Sequence, residues 1–226
     1  HAQALLGPAP CLSQADSPFA SLITSGVVVL EDFEDNALNV PFVSASAGAP
    51  TGPGAYAYAA DLVRAVREAG PRLGHPDKRG FGIGVAGFPE GHPATPNTLV
   101  QMDHLKAKVD AGADFIVTQL FFDNNAFFDW RARCELAGIR VPIVAGIMPI
   151  TSLAGLRRMA DLAAGTRFPA PLLRAVARCQ DDPESVANVG IHWATEQCRD
   201  LMDRGVAGIH FYTLNKSHAT REIYAN

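Results

Sequence analysis

From Tyr58 to the end, the chain alternates two patterns: short apolar runs rich in glycine and β-branched residues, and longer stretches whose apolar positions recur at helical spacing. Tyr58–Ala69 (YAADLVRAVREA) predicts a helix with Leu62, Val63 and Val66 inward. Phe81–Gly87 (FGIGVAG) predicts a buried strand, and Phe88–Asn97 a Pro/Gly/His loop. Leu99, Met102, Leu105, Ala107 and Val109 predict a helix face, ended by Ala111-Gly112-Ala113, and Phe115–Phe122 predicts a second buried strand. A helix over Asn125–Ala137 and a strand over Val141–Met148, stopped by Pro149, come next. Then follow a helix over Ser152–Ala163, a short one around Pro169–Arg178, and the longest, which starts at Pro183, in its favoured first turn, and runs to about Arg204. Gly208–Leu214 (GIHFYTL) predicts the last strand, closed by Asn215-Lys216.

Strand, loop, helix, strand is a βαβ unit, with parallel strands and a right-handed crossover. The fold class is therefore α/β, with parallel strands alternating with helices. Four such strands make half of an eight-stranded barrel or most of a small doubly wound sheet, and the pattern alone does not choose. Either architecture gathers ligand-binding groups at the carboxyl ends of its strands. Here those ends carry Phe88, Glu90 and His92 after the first strand and Gln119 in the second, an amide in an otherwise apolar run; the helix between them adds Lys108. Phe121, Phe122, Phe127, Phe128 and Trp130 have the spacing of core residues packed between helix and strand.

Residues 1–48 have a different texture. Gly26–Leu30 (GVVVL) and Asn39–Ala47 read as short strands, Glu31–Asp35 as a solvated acidic run, and Ala49–Gly54 as a loop that separates this segment from a second region, 49–226. The start carries no charged and apolar signal-peptide pattern, and whether the chain begins after one stays open.

Composition narrows the class. Of 226 residues, 48% are hydrophobic and 19% charged, a globular balance. A net charge of −4 gives no electrostatic footprint for nucleic acid, and no apolar run has the length of a membrane span. Cys11, Cys134, Cys179 and Cys198 form no CxxC pair, and His192 and His210 have no ligand spacing, so no metal site is expected. Free thiols fit a reducing, cytoplasmic compartment.

Five segments in order carry a family resemblance: PTGPGAYAYAADLV, FGIGVAGFPEGHP, LKAKVDAGADFIVTQLFFD, VPIVAGIMPI and GIHFYTLNK. Together they resemble the methylenetetrahydrofolate reductases from about Pro50 to Tyr224. That family implies a partial or complete (β/α)8 barrel, FAD, a nicotinamide donor (NADH or NADPH), and reduction of 5,10-methylenetetrahydrofolate to 5-methyltetrahydrofolate. By resemblance, Tyr58 and Ala59 lie against FAD, Phe88 and His92 border the flavin, and Lys108 meets the cofactor phosphates. Gln119 matches a pterin-binding glutamine, and Lys216 stands where the family commonly has a substrate-contacting Arg. Lysine keeps the charge there but not the bidentate fork.

The departures concern catalysis. No EFFPP-type motif, which carries the family's acidic residue, occurs in the chain; the LRGD positions fall on Ala45-Ser46-Ala47-Gly48, and another substrate glutamine falls on Gly155. The catalytic acid is accordingly unassigned, and loss of a general acid costs about 10²–10⁴ in rate. Two other readings are a flavin- or folate-binding remnant (or an interaction module that completes its sheet with a partner) and an unrelated barrel enzyme with Lys108 on a substrate phosphate. The donor's identity and the oligomeric state, a homo-oligomer included, stay open.

Overall fold

A computed structural model describes residues 58–225, except 76, 78, 79, 93, 94 and 164. The expected strands Gly26–Leu30 and Asn39–Ala47, the acidic run Glu31–Asp35 and the loop Ala49–Gly54 lie outside the described residues, as do Cys11 and the Ala45–Gly48 stretch. The chain divides into two compact units, His1–Gly82 and Ile83–Asn226.

The first unit contributes helix α1, Ala59–Arg72. Tyr58 N–H donates to the Asp61 carboxylate at 3.1 Å, which occupies one of the donors that a helix start leaves unpaired. Ala60 and Val63 are buried, while Leu62 and Val66 are half-buried. Gly70 packs against Gly80, where a Cβ would meet the Gly80 Cα at 2.9 Å.

The second unit is a sheet of four strands, β1 (Gly84–Gly87), β2 (Phe115–Thr118), β3 (Ile143–Ile147) and β4 (Gly208–Phe211), in the order β1-β2-β3-β4. Every neighbouring pair is parallel, with Gly87 beside Thr118, Val117 beside Val144 and Ile147 beside Phe211. Between the strands run α2 (Thr98–Asp110), α3 (Asn124–Leu136), and a helical excursion of α4 (Leu153–Leu162), α5 (Ala170–Arg178) and α6 (Pro183–Asp203). A further helix, α7 (His218–Ala225), follows β4; the sequence reading had no helix there. This is α/β architecture with consecutive parallel strands, the arrangement of a partial (β/α)8 barrel.

All four strands are shorter than the sequence pattern suggests. The apolar run Phe115–Phe122 spans two environments: Phe115–Thr118 pairs in the sheet, whereas Phe121 and Phe122 have left it and pack among helices. The Gly208–Leu214 run stops at Phe211, and the chain then turns with Leu214 and Asn215 at φ of 45° and 60°. The sheet is buried unequally. Val85, Ile116, Thr118, Ile143, Ala145 and Ile147 alternate onto a face where α3 packs, and a Cβ on Gly87 of that face would strike the Trp130 ring. Gly84, Ala86, Phe115, Val117, Val144, Gly208 and His210 alternate onto the other face and are half-buried or exposed. Ile116 and Ile147 are fully enclosed, each contributing about 1.5–3 kcal/mol relative to exposure.

Phe121, Phe122, Phe127, Phe128 and Trp130 are core residues, with Phe121 stacked on Phe127 at 5.0 Å. A second core joins Leu120, Phe122 and Ile150 to Met159, Leu172, Val176 and Val186 of the helical excursion. Helix α2 departs from the expected face. Only Leu105 is buried; Leu99 is 75% exposed and Ala107 faces solvent, because the inward stripe at 3.6 residues per turn is Gln101, Met102, Leu105, Lys108 and Val109. A polar residue, Lys108, thus lies on the covered side of its helix. The N-termini of α2, α3, α4 and α6 are capped by Asn97, Asp123, Ser152 and Asp182, whose side chains accept main-chain N–H groups.

Candidate functional site

Phe88, Gln119, Met148 and Tyr212 each lie one residue past the end of a strand, and the register carries Phe88 beside Gln119 and Met148 beside Tyr212, with Gln119 level with Gly146 of β3. Gln119 is tied in twice. Its N–H donates to Gly87 O at 2.7 Å, and its side-chain Oε1 accepts the Leu120 N–H at 3.0 Å. Because that partner is a donor, the amide orientation is determined: the oxygen is engaged and the NH2 group, on a half-buried residue, is what remains for a ligand.

The loop after β1 is compact. Gly91 N–H donates to Phe88 O, Thr95 N–H donates to His92 O, and the Phe88 and His92 rings meet edge to face at 4.6 Å. Glu90 Oε2 accepts the Arg167 N–H at 2.9 Å, while Oε1 is buried and has no hydrogen-bond partner among the described residues. Burial pushes the Glu90 carboxyl above its ordinary value; the Arg167 N–H and charge oppose this, and the nearby Asp123 adds to it.

Lys108 approaches from below. The β1 carbonyls of Ile83 and Gly87 point toward β2, accepting from Asp114 and Gln119, so the carbonyl of Ala86 points to the outer edge of the strand. Lys108 Nζ donates to that carbonyl at 2.5 Å. Burial lowers its pKa to about 8, which leaves it mostly charged near neutrality. The ammonium is therefore held at the outer edge of β1, beside its penultimate residue, and is not part of the Phe88–His92 contact. Lys216 lies in the turn after β4, where its N–H donates to Thr213 O and its side chain is exposed. Tyr58 is the N-cap of α1 and 64% exposed, with Ala59 the first residue of that helix. Gly155 sits in the first turn of α4, its N–H bonded to Ser152 Oγ at 3.0 Å.

Sequence reasoning missed a crosspiece. Tyr212, one residue past β4, reaches across β3 and donates its hydroxyl to Thr118 O on β2 at 2.9 Å. It can do so because Gly146 lies beneath; a Cβ there would stand 2.2 Å from Thr118 O and 2.8 Å from the Tyr212 ring. The β2–β3 ladder has ended by then at Val117–Val144, and Gly146 N–H donates to Thr118 Oγ1 at 2.9 Å. A glycine in β3 facing an aromatic just past the neighbouring β4 is the only sequence signal, and it has no local period. The loop beyond Gln119 is held by α6: Trp193 Nε1 donates to Phe122 O, and Gln197 Nε2 to Phe121 O and to Asn124, each at 3.2 Å. Among the described residues no three His, Cys, Asp or Glu side chains are placed to hold a metal ion, and no helix is long and apolar enough to cross a membrane.

A parallel α/β sheet whose donors and aromatic groups collect at the strand carboxyl ends is a scaffold for a small-molecule site. A family model described as Methylenetetrahydrofolate reductase matches residues 45–226. The chain belongs to that family. It is 42% identical over 184 residues to "Methylenetetrahydrofolate reductase (NADH) 1" of Arabidopsis thaliana, covering 76% of this chain and 29% of that protein. It is 39% identical over 172 residues to Methylenetetrahydrofolate reductase 1 of Schizosaccharomyces pombe, covering 76% and 27%. To the 5,10-methylenetetrahydrofolate reductase of Escherichia coli it is 36% identical over 166 residues, covering 74% and 53%. The chain thus spans between about a quarter and about half of the length of these relatives. It is also similar to a solved structure titled as an uncharacterized protein from Clostridium thermocellum that binds two copies of 5-methyl-5,6,7,8-tetrahydrofolic acid. That likeness has 18% identity and a TM-score of 0.48, over 64% of this chain and 52% of the other.

Proposed function

We propose that residues 49–226 contribute the folate-facing part of a methylenetetrahydrofolate reductase site, in which flavin-dependent reduction converts 5,10-methylenetetrahydrofolate to 5-methyltetrahydrofolate. The observation that carries this reading is the family match over residues 45–226. The structure supports it through Gln119, whose oxygen is engaged while its NH2 group stays available at a strand end. A pterin ring presents acceptors that such an amide can pair.

The residues present fit a flavin. Phe88 and His92 stand at the end of β1 and the Lys108 ammonium is one residue before the strand ends, while the Phe115 ring lies over Gly84 on the less covered face. When bound, FAD supplies the hydride, drawn from NADH or NADPH. The chain's own residues bind and orient. Lys108 supplies positive charge for phosphate, Phe88 and His92 border the ring, and Lys216 offers an exposed cation to an anionic substrate group. Tyr58 and Ala59 are assigned to the same cofactor on the family motif. The proton that opens the folate's bridging ring is not assigned to any residue of this chain.

The test is to bind FAD and 5-methyltetrahydrofolate separately to the purified chain and to two variants. Lys108→Ala should lose flavin by about tenfold more than folate, and Gln119→Ala should show the reverse. Equal losses of both ligands in both variants would refute the assignments. Retained flavin without turnover would instead favour a binding remnant, the reading that the missing EFFPP and LRGD motifs support.

A further inference from the structure

Three consecutive residues between α4 and α5 are fastened to three different places at the carboxyl end of the sheet. Thr166 Oγ1 donates to Leu120 O at 3.3 Å, next to Gln119. Arg167 N–H donates to Glu90 Oε2 at 2.9 Å, in the loop that carries Phe88 and His92. The Phe168 ring stacks on Phe122, with centroids 4.8 Å apart and planes at 29°. Thr166–Phe168 therefore forms a strap that joins the loop after β1 to the loop after β2. Two of its three fastenings are apolar contact and a neutral hydroxyl bond. Only Glu90 is charged when ionised, and a hydrogen bond from a main-chain N–H to a carboxylate is about twice as strong as a neutral one. Its other oxygen, Oε1, is buried, while the bond from Arg167 to Oε2 lies at an exposed position.

We propose that Glu90 is the latch of this strap and a positioning residue for the ligand at Gln119. The ligand assignment rests on the folate reading above; the latch itself does not. The connection runs through named bonds. Glu90 holds Arg167, the adjacent Thr166 holds the Leu120 carbonyl, and the N–H of the same Leu120 holds Gln119 Oε1. That last bond determines which end of the Gln119 amide is left for a ligand. When the latch is removed, the strap lifts, Leu120 loses a restraint, and the amide turns between orientations of which one is productive.

The experiment uses the full chain with Glu90→Ala and Glu90→Gln, since glutamine keeps a side-chain oxygen to accept the Arg167 N–H. Amide hydrogen exchange at Arg167 reads the latch, and calorimetric titration with 5-methyltetrahydrofolate reads positioning. E90A is expected to raise Arg167 exchange and weaken 5-methyltetrahydrofolate each by about tenfold, while E90Q stays within about threefold of the parent in both. Unchanged exchange in E90A, or equal losses in E90Q and E90A, would overturn the latch. Faster exchange with unaltered affinity would overturn the positioning role. If the parent chain binds no folate, the functional reading fails by itself, and the Arg167 exchange comparison still decides whether Glu90 is a latch.

Discussion

Placing a methyl group on Gly146 tests whether the crosspiece over β3 holds the site end of the sheet together. The added Cβ would sit 2.2 Å from Thr118 O and 2.8 Å from the Tyr212 ring, against an ordinary carbon contact of about 3.5–4.0 Å. Both neighbours must move. Overpacking of this kind costs about 1–3 kcal/mol, and losing the Tyr212–Thr118 hydrogen bond adds about 1 kcal/mol. Gly146→Ala should therefore destabilise the protein by about 2–4 kcal/mol. Tyr212→Phe removes only the hydroxyl and leaves the Thr118 carbonyl without that donor, a loss of about 1–3 kcal/mol. The two effects share one bond, so they cannot add. In the double variant the phenylalanine should cost about 1 kcal/mol less than it does alone. Urea unfolding of the parent, both single variants and the double variant, followed by far-ultraviolet circular dichroism, gives the cycle. Additivity to within about 0.5 kcal/mol would show that Tyr212 and Gly146 act independently and would refute the crosspiece.

Gly190, in α6, packs so closely on the segment after β3 that a Cβ would stand 1.8 Å from Ile150 O and 2.6 Å from Ile150 C, both main-chain atoms. Gly190→Ala should thus lower the unfolding midpoint despite the helix preference for alanine of about 1 kcal/mol; a raised midpoint would show that α6 does not lie against Ile150. Lys108 gives a pH signature. Its folded pKa of about 8 lies below the ordinary 10.5, so between these values the unfolded chain binds more protons and stability rises with pH. The destabilising contribution is complete below about pH 8 and gone above 10.5; Lys108→Met should flatten urea midpoints across that window, and an unchanged slope would place the burial elsewhere.

The sequence by itself determined the order of elements in 58–214, the parallel α/β class and the aromatic core, because these follow from local hydrophobic period and from apolar residues close in the chain. It also showed, through long motifs in order, the family; Phe88, His92, Lys108 and Gln119 are the site residues those motifs propose. Where each strand ends was not legible. Phe115–Phe122 is one apolar run, yet only four of its residues pair, since sheet and helix layer bury apolar side chains equally well and only the neighbouring strand decides where the ladder stops. The stripe of α2 was misread for a related reason: Leu99 and Lys108 exchange their usual roles because the β1 edge carbonyl of Ala86 gives an ammonium a partner under the helix. The crosspiece of Tyr212, Gly146 and Thr118 and the strap held by Glu90 lie between residues 94 and 77 positions apart. Such contacts leave no period in a sequence. They exist because parallel strands bring the ends of distant segments to one edge, and only the tertiary structure decides which side chains meet there.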